Sequence, residues 1–201
     1  GESDKHSTVA VDNIRAGRKA AEIFAASGKK KVAIINHRNS EKEINVKCRT
    51  VGFMEACAEL GMSAEIFEVL QKQIRGVSSI KTIILLGEAA AEDFLRRRRL
   101  PEAVFIQNDI LAAGFMNAII EAGVRVPEDL EIITFGDDIL LETCRPTLTS
   151  IQFPTARIAR EAIMILSDIL VNPLAPPVKK LIEPPVVFRD SCPKPGGYED
   201  N

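Results

Sequence analysis

The sequence predicts an α/β fold, a Rossmann-like parallel sheet with helices on both faces. Short apolar runs such as Ala103–Ile106 and Leu130–Phe135 are typical of strands that are buried on both sides. Between them lies the helical pattern Ile110–Ala122, with apolar residues every three or four positions and Gly123 as its end. Amides or carboxylates directly follow each strand, and in open α/β sheets the ligand crevice lies outside those strand ends.

The composition indicates one good-sized folded domain or two small lobes. Of 201 residues, 46% are hydrophobic and 27% are charged, which argues against disorder. The 26 Lys and Arg residues against 28 Asp and Glu give a net charge of −2, so a general attraction to nucleic acid is not expected. No membrane span or signal peptide is evident, which favours a cytoplasmic protein. The four cysteines are far apart, which favours isolated reduced thiols over zinc or disulfide roles.

The first third of the chain alternates strands and helices. Thr8–Val11 is a short strand, and Asp12 with Asn13 supplies the N-cap of a helix that extends to Ala26. The next predicted elements are a strand, a helix and a strand, at Val32–Ile35, Glu41–Leu60 and Ala64–Val69.

The segment that follows leaves two structures open. Ser79–Leu86 is apolar and β-branched, which favours an extra strand, but it could also begin one long helix through Leu95. Glu88–Arg99 is predicted to be helical. The basic run Arg96–Arg99 ends this helix just before Pro101, where cations complement the helix dipole, and we favour that role over nucleic-acid binding.

Beyond Asp138 the pattern predicts a helical turn at 139–144, a strand at Leu148–Ile151 and a helix from Pro154 to Leu170. The apolar stripe of that helix comprises Ile158, Ala162, Ile165 and Ile169. Two edge-like segments, Val178–Ile182 and Val186–Arg189, precede a polar tail that we expect to be disordered from 193 to 201.

Motifs for catalysis are absent from the sequence. It contains no phosphate-binding glycine loop, no nucleophile elbow and no zinc-protease signature, so we expect no enzyme activity, no cofactor and no metal. What remains is a polar crevice lined by Asp12, Arg49, Asn108, Asp109 and Asp137. Amides, carboxylates and a guanidinium suit hydroxyl-rich ligands.

A series of motifs extends from about Val9 to Ser191. In chain order they are Val11-Asp-Asn13 with Ala16-Gly17, Arg49-Thr-Val-Gly-Phe53, Val104-Phe-Ile-Gln-Asn-Asp109, Ala112-Ala-Gly114, Ala122-Gly-Val-Arg-Val-Pro-Glu-Asp129, Phe135-Gly-Asp-Asp138 and Pro146-Thr-Leu-Thr-Ser-Ile151. Together they resemble the effector-sensing domain of the lactose-repressor (LacI/GalR) family of transcription regulators. The resemblance implies a type I periplasmic-binding-protein-like fold, in which two Rossmann-like lobes close on a small ligand.

The resemblance also implies a ligand site for a sugar or a sugar-like effector. With the strand-end rule it gives the predicted ligand-binding residues Asp12, Asn36, Arg49, Asn108, Asp109, Asp137 and Phe153. Arg49 is expected to reach hydroxyls or a carboxylate of the effector, because its planar fork fixes two acceptors. The sequence departs from the family pattern at two positions of this site. Gly136 stands where the family has an Asp that commonly contacts sugar, and Phe153 replaces a Gln.

The same resemblance gives a domain division. We expect residues 1–27 to be a remnant of the first lobe, 28–150 and 186–192 to form the second lobe, and 151–185 to return to the first. In the family, a DNA-binding helix-turn-helix domain precedes this region. We therefore expect operator DNA to bind only through a missing N-terminal domain. For the isolated chain we expect effector affinity in the millimolar range or weaker, because one cleft wall is largely lacking.

A homodimer is also implied. Helix Ile110–Ile120 offers Leu111, Phe115, Met116 and Ile119 as an apolar interface, with burial inside one domain as the alternative. The alternative function is a fragment of a periplasmic sugar-binding receptor of a transporter, which has the same architecture. An upstream helix-turn-helix would favour the regulator, and a signal peptide the receptor.

Overall fold

A computed structural model describes residues 6–37, 43–69, 80–97 and 99–199. The start of the predicted helix 41–60 and Ser79 lie outside these ranges. The strands are β1 (Thr8–Val11), β2 (Lys31–His37), β3 (Ser63–Val69), β4 (Ala103–Ile106), β5 (Glu131–Phe135), β6 (Thr149–Ile151), β7 (Lys179–Ile182) and β8 (Val186–Val187). The helices are α1 (Asn13–Ala26), α2 (Ile44–Glu59), α3 (Ile80–Leu95), α4 (Asp109–Glu121), α5 (Leu140–Thr143) and α6 (Thr155–Val171).

The main sheet has six strands in the order β3-β2-β4-β5-β6-β8. All neighbours are parallel except β8, which pairs with β6 in the antiparallel sense. Side chains alternate between the two faces, so that Phe105 belongs to the core under α1 and α2 while Val104 and Ile106 belong to the core under α3 and α4. The predicted Rossmann-like sheet with helices on both faces is therefore confirmed.

Each face carries a pair of helices that cross in direct backbone contact. A Cβ on Gly17 would lie 2.0 Å from the carbonyl oxygen of Arg49, and one on Gly52 would lie 2.1 Å from that of Ile14. On the opposite face Gly87 and Gly114 make the same reciprocal contacts between α3 and α4. Only glycine leaves room for these crossings.

Over the described residues 80–86 the expected extra strand is wrong, and the alternative of one helix through Leu95 is confirmed. The pattern was ambiguous because α3 is apolar on several sides. Gly87, Ala90, Ala91 and Phe94 are buried against the core, and they continue the helix that Ile80 begins.

The placement expected for α1 is also wrong. The expected domain division assigns α1 to the first-lobe remnant at 1–27, but Ala20, Ile23 and Phe24 are fully buried and belong to the core of the six-stranded sheet. Phe24 meets Phe53 of α2 edge-on at 6.3 Å. Helix α1 therefore covers the main sheet, and only β1 extends away from it.

A smaller unit consists of β1, β7 and α6. Strand β1 pairs with β7 in parallel, and α6 packs on β1. Ile158, Ile165 and Ile169 of the predicted stripe are half-buried, whereas Ala162 is exposed, and no residue of α6 is fully buried. Three chain crossings join this unit to the main sheet, after β1, β6 and β7.

The tail, which was expected to be disordered, is held against the core at Tyr198, although most of residues 193–199 are exposed. Tyr198 is 8% exposed and meets Phe188 edge-on, with the ring centroids 5.6 Å apart. An aromatic ring buries enough apolar surface to hold a glycine- and proline-containing segment against the core.

Helix α4 is buried within the subunit. Leu111, Phe115, Met116 and Ile119 are at most 3% exposed because α4 packs against both α3 and the sheet. They therefore cannot form the predicted dimer surface, and that prediction is wrong for these four side chains. Among the described residues, no helix is long and apolar enough to cross a membrane.

Candidate functional site

The site lies at the carboxyl ends of β2, β4 and β5, which are neighbours in the main sheet. Their register aligns Ile35 with Ile106 and Ile106 with Thr134. The residues that follow these positions therefore emerge at one edge. Asn36, Asn108 and Asp137, which the strand-end rule selected, therefore lie at the same edge of the sheet.

Arg49 lies at the centre of a polar network at this edge. It is only 7% exposed, because the close crossing of α1 and α2 brings it beside Asn13. Its Nε donates to Oε1 of Gln107 at 3.0 Å, and its Nη1 donates to Oδ1 of Asn13 at 2.6 Å. The guanidinium also lies over the ring of Phe135, 4.1 Å from the centroid, in a cation–π contact.

Gln107 connects Arg49 to β2. Its Nε2 donates to Oδ1 of Asn36 and, at 2.9 Å, to Oγ1 of Thr50, which in turn donates to the carbonyl oxygen of Val46. Neither Gln107 nor Asn13 was in the predicted set of site residues. The position of Gln107, directly after the buried strand β4, was the signal that could have included it.

Burial lowers the pKa of the Arg49 guanidinium to about 10, although the charges of Glu43 and Cys48 act in the opposite direction. Arg49 stays protonated at neutral pH. Within the described ranges, no carboxylate oxygen lies within ion-pair distance of it. Among the described residues, the cation is held by two amide oxygens and an aromatic face.

Asn108 and Asp109 accept backbone hydrogen bonds at the start of α4. Oδ1 of Asn108 accepts the backbone N–H of Leu111 at 2.8 Å, as an N-cap does. Oδ1 and Oδ2 of Asp109 accept the backbone N–H groups of Ile110 and Asp138 at 2.9 and 3.1 Å, so Asp109 ties the loop after β5 to this helix.

Gly136 leaves the space that Asp109 occupies. A Cβ at Gly136 would lie 2.1 Å from Oδ2 of Asp109, and the backbone φ of 142° is itself unfavourable for other residues. The Asp that the family has at this position would therefore collide with Asp109, which is a steric reason for glycine in this chain.

Asp12 caps α1 as predicted, since its Oδ1 accepts the backbone N–H of Arg15 at 2.8 Å. Its own N–H donates to the carbonyl oxygen of Ile182 at 2.9 Å, at the first crossing between the small unit and the main sheet. Its neighbour Asn13, not Asp12, makes the contact with Arg49.

Asp137 and Phe153 line a cleft of about 650 Å³ at the crossings. Both are exposed, Phe153 by 43%. Lys19 and Glu183 line the same cleft, 2.9 Å apart, and the Nζ of Lys19 also donates to the carbonyl oxygen of Pro184 at 3.0 Å. Sequence patterns gave no indication that Lys19, on a helix face, would be buried.

The structure thus brings the predicted residues together in three groups. Asn36 and Arg49 belong to the Gln107 network, Asn108 and Asp109 to the start of α4, and Asp137 and Phe153 to the cleft, while Asp12 stands at the crossing. No group of three or more His, Cys, Asp or Glu side chains arranged for a metal ion occurs within the described part of the chain. The four cysteines are free thiols, and burial raises the pKa of Cys57 to about 12.

The sequence matches the family of the periplasmic binding protein-like domain over residues 21–192. Among curated proteins it is 29% identical to the HTH-type transcriptional regulator CelR of Thermobifida fusca over 185 residues, which cover 92% of this chain and 52% of that protein. It is 30% identical to the HTH-type transcriptional repressor CytR of Escherichia coli, over 80% of this chain and 44% of the repressor. The chain therefore spans about half the length of these relatives.

Solved structures of transcription regulators are also similar to this chain. A LacI family transcription regulator from Clostridium acetobutylicum matches with a TM-score of 0.79 and 25% identity, over 94% of this chain and 67% of that one. The complex of the regulator CelR with cellobiose matches in fold, with a TM-score of 0.71 and 23% identity, over 94% of this chain and 54% of that one.

Proposed function

The chain belongs to the periplasmic binding protein-like domain family, among the effector-sensing domains of LacI/GalR-type transcription regulators, and we propose that it senses a small hydroxyl-rich effector for such a regulator. The proposed ligand-binding residues are Asp12, Asn36, Arg49, Asn108, Asp109, Asp137 and Phe153, with Gln107 and Asn13 added. In this proposal α1 joins residues 28–150 and 186–192 in the second lobe, and 151–185 return to the first.

The observation that carries the proposal is the Arg49–Gln107–Asn36 network. Amide and guanidinium side chains in which burial has fixed the geometry are preorganised donors and acceptors. A ligand that matches them gains hydrogen bonds without ordering these groups, and an analogue that lacks a hydroxyl leaves them unpaired. A sugar-like ligand fits this chemistry, and the related regulator CelR has been solved with cellobiose.

Operator binding, dimerisation and a cytoplasmic location are part of the same proposal. The net charge of −2 favours DNA binding through a separate domain rather than through this chain. We also propose that the chain has no enzyme activity, since the network lacks a nucleophile with an adjacent base. The competing function is a transporter's sugar-binding receptor, and the native gene sequence upstream of Thr8 distinguishes the two.

The test is an NMR titration of the 201-residue chain with a panel of sugars, because NMR detects millimolar binding. We expect at least one sugar to shift the amide signals of Asn36, Arg49 and Asn108 together. The variant Gln107→Leu should weaken that binding by about tenfold or more, since it removes the hydrogen bonds that orient Arg49.

Arg125→Gln serves as the control, because Arg125 is exposed and pairs with Asp129 away from the site. Equal losses in the two variants, or no binding by any sugar on the panel, would reject the proposed function.

A further inference from the structure

The small unit is joined to the main sheet mainly through the three chain crossings. Its elements β1, β7 and α6 pack on one another, and over the described residues they make only sparse contacts with the strands and helices of the main sheet. Neither core cluster includes a described residue of these three elements. The orientation of the small unit therefore depends on what holds the crossings, because no shared core fixes it.

Four charged side chains meet at the third crossing, residues 183–185, and we call them the Glu183 cluster. Oε1 of Glu183 accepts hydrogen bonds from Nε of Arg15 and from Nζ of Lys19, each at 2.9 Å. The second carboxylate, that of Glu22, pairs with Nη1 of Arg15 at 2.7 Å. Arg15, Lys19 and Glu22 lie at positions i, i+4 and i+7 of α1, so one face of the helix presents them together. Only Glu183 comes from the crossing.

Lys19 is the buried member of the Glu183 cluster. Its side chain is 3% exposed, and its Nζ also donates to the carbonyl oxygen of Pro184 at 3.0 Å. A buried ammonium needs charged or strongly polar partners, because it has lost its hydration. Since two consecutive prolines follow Glu183, the backbone there is stiff, and holding the carboxylate and the Pro184 carbonyl holds the whole segment.

The other two crossings are hydrogen-bonded to the third. The N–H of Asp12, between β1 and α1, donates to the carbonyl oxygen of Ile182 at 2.9 Å. The N–H of Gln152, directly after β6, donates to the carbonyl oxygen of Pro185 at 2.8 Å. A cluster that fastens the third crossing to α1 therefore fastens all three to the main sheet, because α1 belongs to the core of that sheet.

We propose that Lys19 and Arg15 are positioning residues which, through Glu183, hold the small unit in one orientation on the main sheet. This inference concerns the orientation of the two units and does not depend on the proposed sensing function. The orientation sets the width of the cleft of about 650 Å³, because Phe153 and Glu183 line it from the crossings and Asp137 lines it from the main sheet. Without the Glu183 cluster, the small unit turns about the crossings.

Residual dipolar couplings measured by NMR test the orientation directly, because one alignment tensor describes two units only when they move as one body. For the wild-type chain we expect a single tensor to fit the backbone N–H couplings of both units. Glu183→Gln removes the negative charge that both cations share. The couplings of the main sheet should stay unchanged, and those of β1, β7 and α6 should shrink and require a second tensor.

Hydrogen exchange at Asp12 gives a second measurement. The Asp12 amide donates across the joint, so its exchange reports openings of the crossings. In Glu183→Gln we expect this amide to exchange roughly ten- to a hundredfold faster, from the loss of hydrogen bonds to a charged acceptor.

Two matched controls remove a carboxylate from an ion pair that lies within one unit. Glu59→Gln breaks the pair with Arg18, which joins α1 to α2 in the main unit. Glu161→Gln breaks the pair with Lys180, which joins α6 to β7 in the small unit. Both variants should keep the single tensor. All chains are compared at the same low concentration, so that self-association does not fix the units.

A double variant, Lys19→Met with Glu183→Gln, keeps the test open if Glu183→Gln alone does not fold. It removes the buried ammonium together with its partner, and the paired removal of buried charges is often neutral for stability. The double variant should therefore fold and still release the small unit.

Four results would overturn the inference. A wild-type chain that needs two tensors shows that the Glu183 cluster does not fix the orientation. A single tensor in both Glu183→Gln and the double variant shows that the crossings suffice without it. Equal loosening in Glu59→Gln assigns the effect to the loss of any carboxylate. A double variant that does not fold shows that the pair supports the fold itself rather than the orientation.

Discussion

Gly17→Ala should open the crossing of α1 and α2 that positions Arg49. The new Cβ would lie 2.0 Å from the carbonyl oxygen of Arg49 and 2.7 Å from the backbone nitrogen of Phe53, where ordinary contact begins at 3.4 Å. The helices must separate by roughly 1.4 Å, because backbone atoms cannot rotate away. Overpacking of this kind costs about 3 kcal/mol, and the higher helix propensity of alanine returns about 1 kcal/mol.

The expected net loss is about 2 kcal/mol of unfolding free energy, or a Tm about 4–8 °C lower for a chain of this size. Urea denaturation measures the first quantity, and calorimetry the second. Gly114→Ala, with its Cβ 2.1 Å from the carbonyl oxygen of Ile84, should cost a similar amount but leave the amide signals of Arg49 unshifted. Gly196→Ala meets nothing within 4 Å and is the neutral control. A loss below about 0.5 kcal/mol in Gly17→Ala, the range of ordinary surface changes, would refute the close crossing.

Further predictions concern the stability of the fold at acidic pH, the packing of the tail and the exposed face of α6. Hydrogen bonds from Arg125 lower the pKa of the Asp129 carboxyl to about 2. The stability that these bonds contribute is therefore fully present above the ordinary pKa of a carboxyl and is lost as the pH falls through 2. An NMR titration of Asp129 with a midpoint near 4 would show that the contact is absent in solution. Tyr198→Ala should lower the unfolding free energy by about 3 kcal/mol, as removal of a buried aromatic ring does, and an unchanged urea midpoint would mean that the tail is not packed. Ile163 and Leu166 are 65% and 57% exposed, so we expect self-association that Ile163→Lys with Leu166→Lys abolishes; a wild-type chain that light scattering finds monomeric at high micromolar concentration would contradict this.

The sheet could be predicted because its strands carry strong local signals. The run Ala103–Ile106 is apolar at every position and is followed by polar residues, and the structure gives that strand the same bounds. The helix–strand choice at Ile80–Leu86 could not be settled, because only the contact of Gly87 with α4 and the burial of Phe94 show the helix to be continuous.

The polar network could be predicted only in part. The strand-end rule identified Asn36 and Asn108, but the link from Gln107 to Arg49 joins residues 58 positions apart and depends on how α2 crosses the sheet. The interface expected on α4 failed for a similar reason. A largely apolar helix can be buried by a neighbouring helix together with the sheet, as α4 is by α3 and the main sheet, and the sequence alone does not show what covers it.

Mapping the ligand-induced amide shifts of the 201-residue chain onto the structure tests the central claim most directly. The account predicts that a bound sugar shifts the signals of Asn36, Arg49, Asn108 and Asp137, at the carboxyl edge of the main sheet. Shifts confined to the opposite edge, around the cavity of about 430 Å³ that Lys29 and Lys194 line, would contradict it.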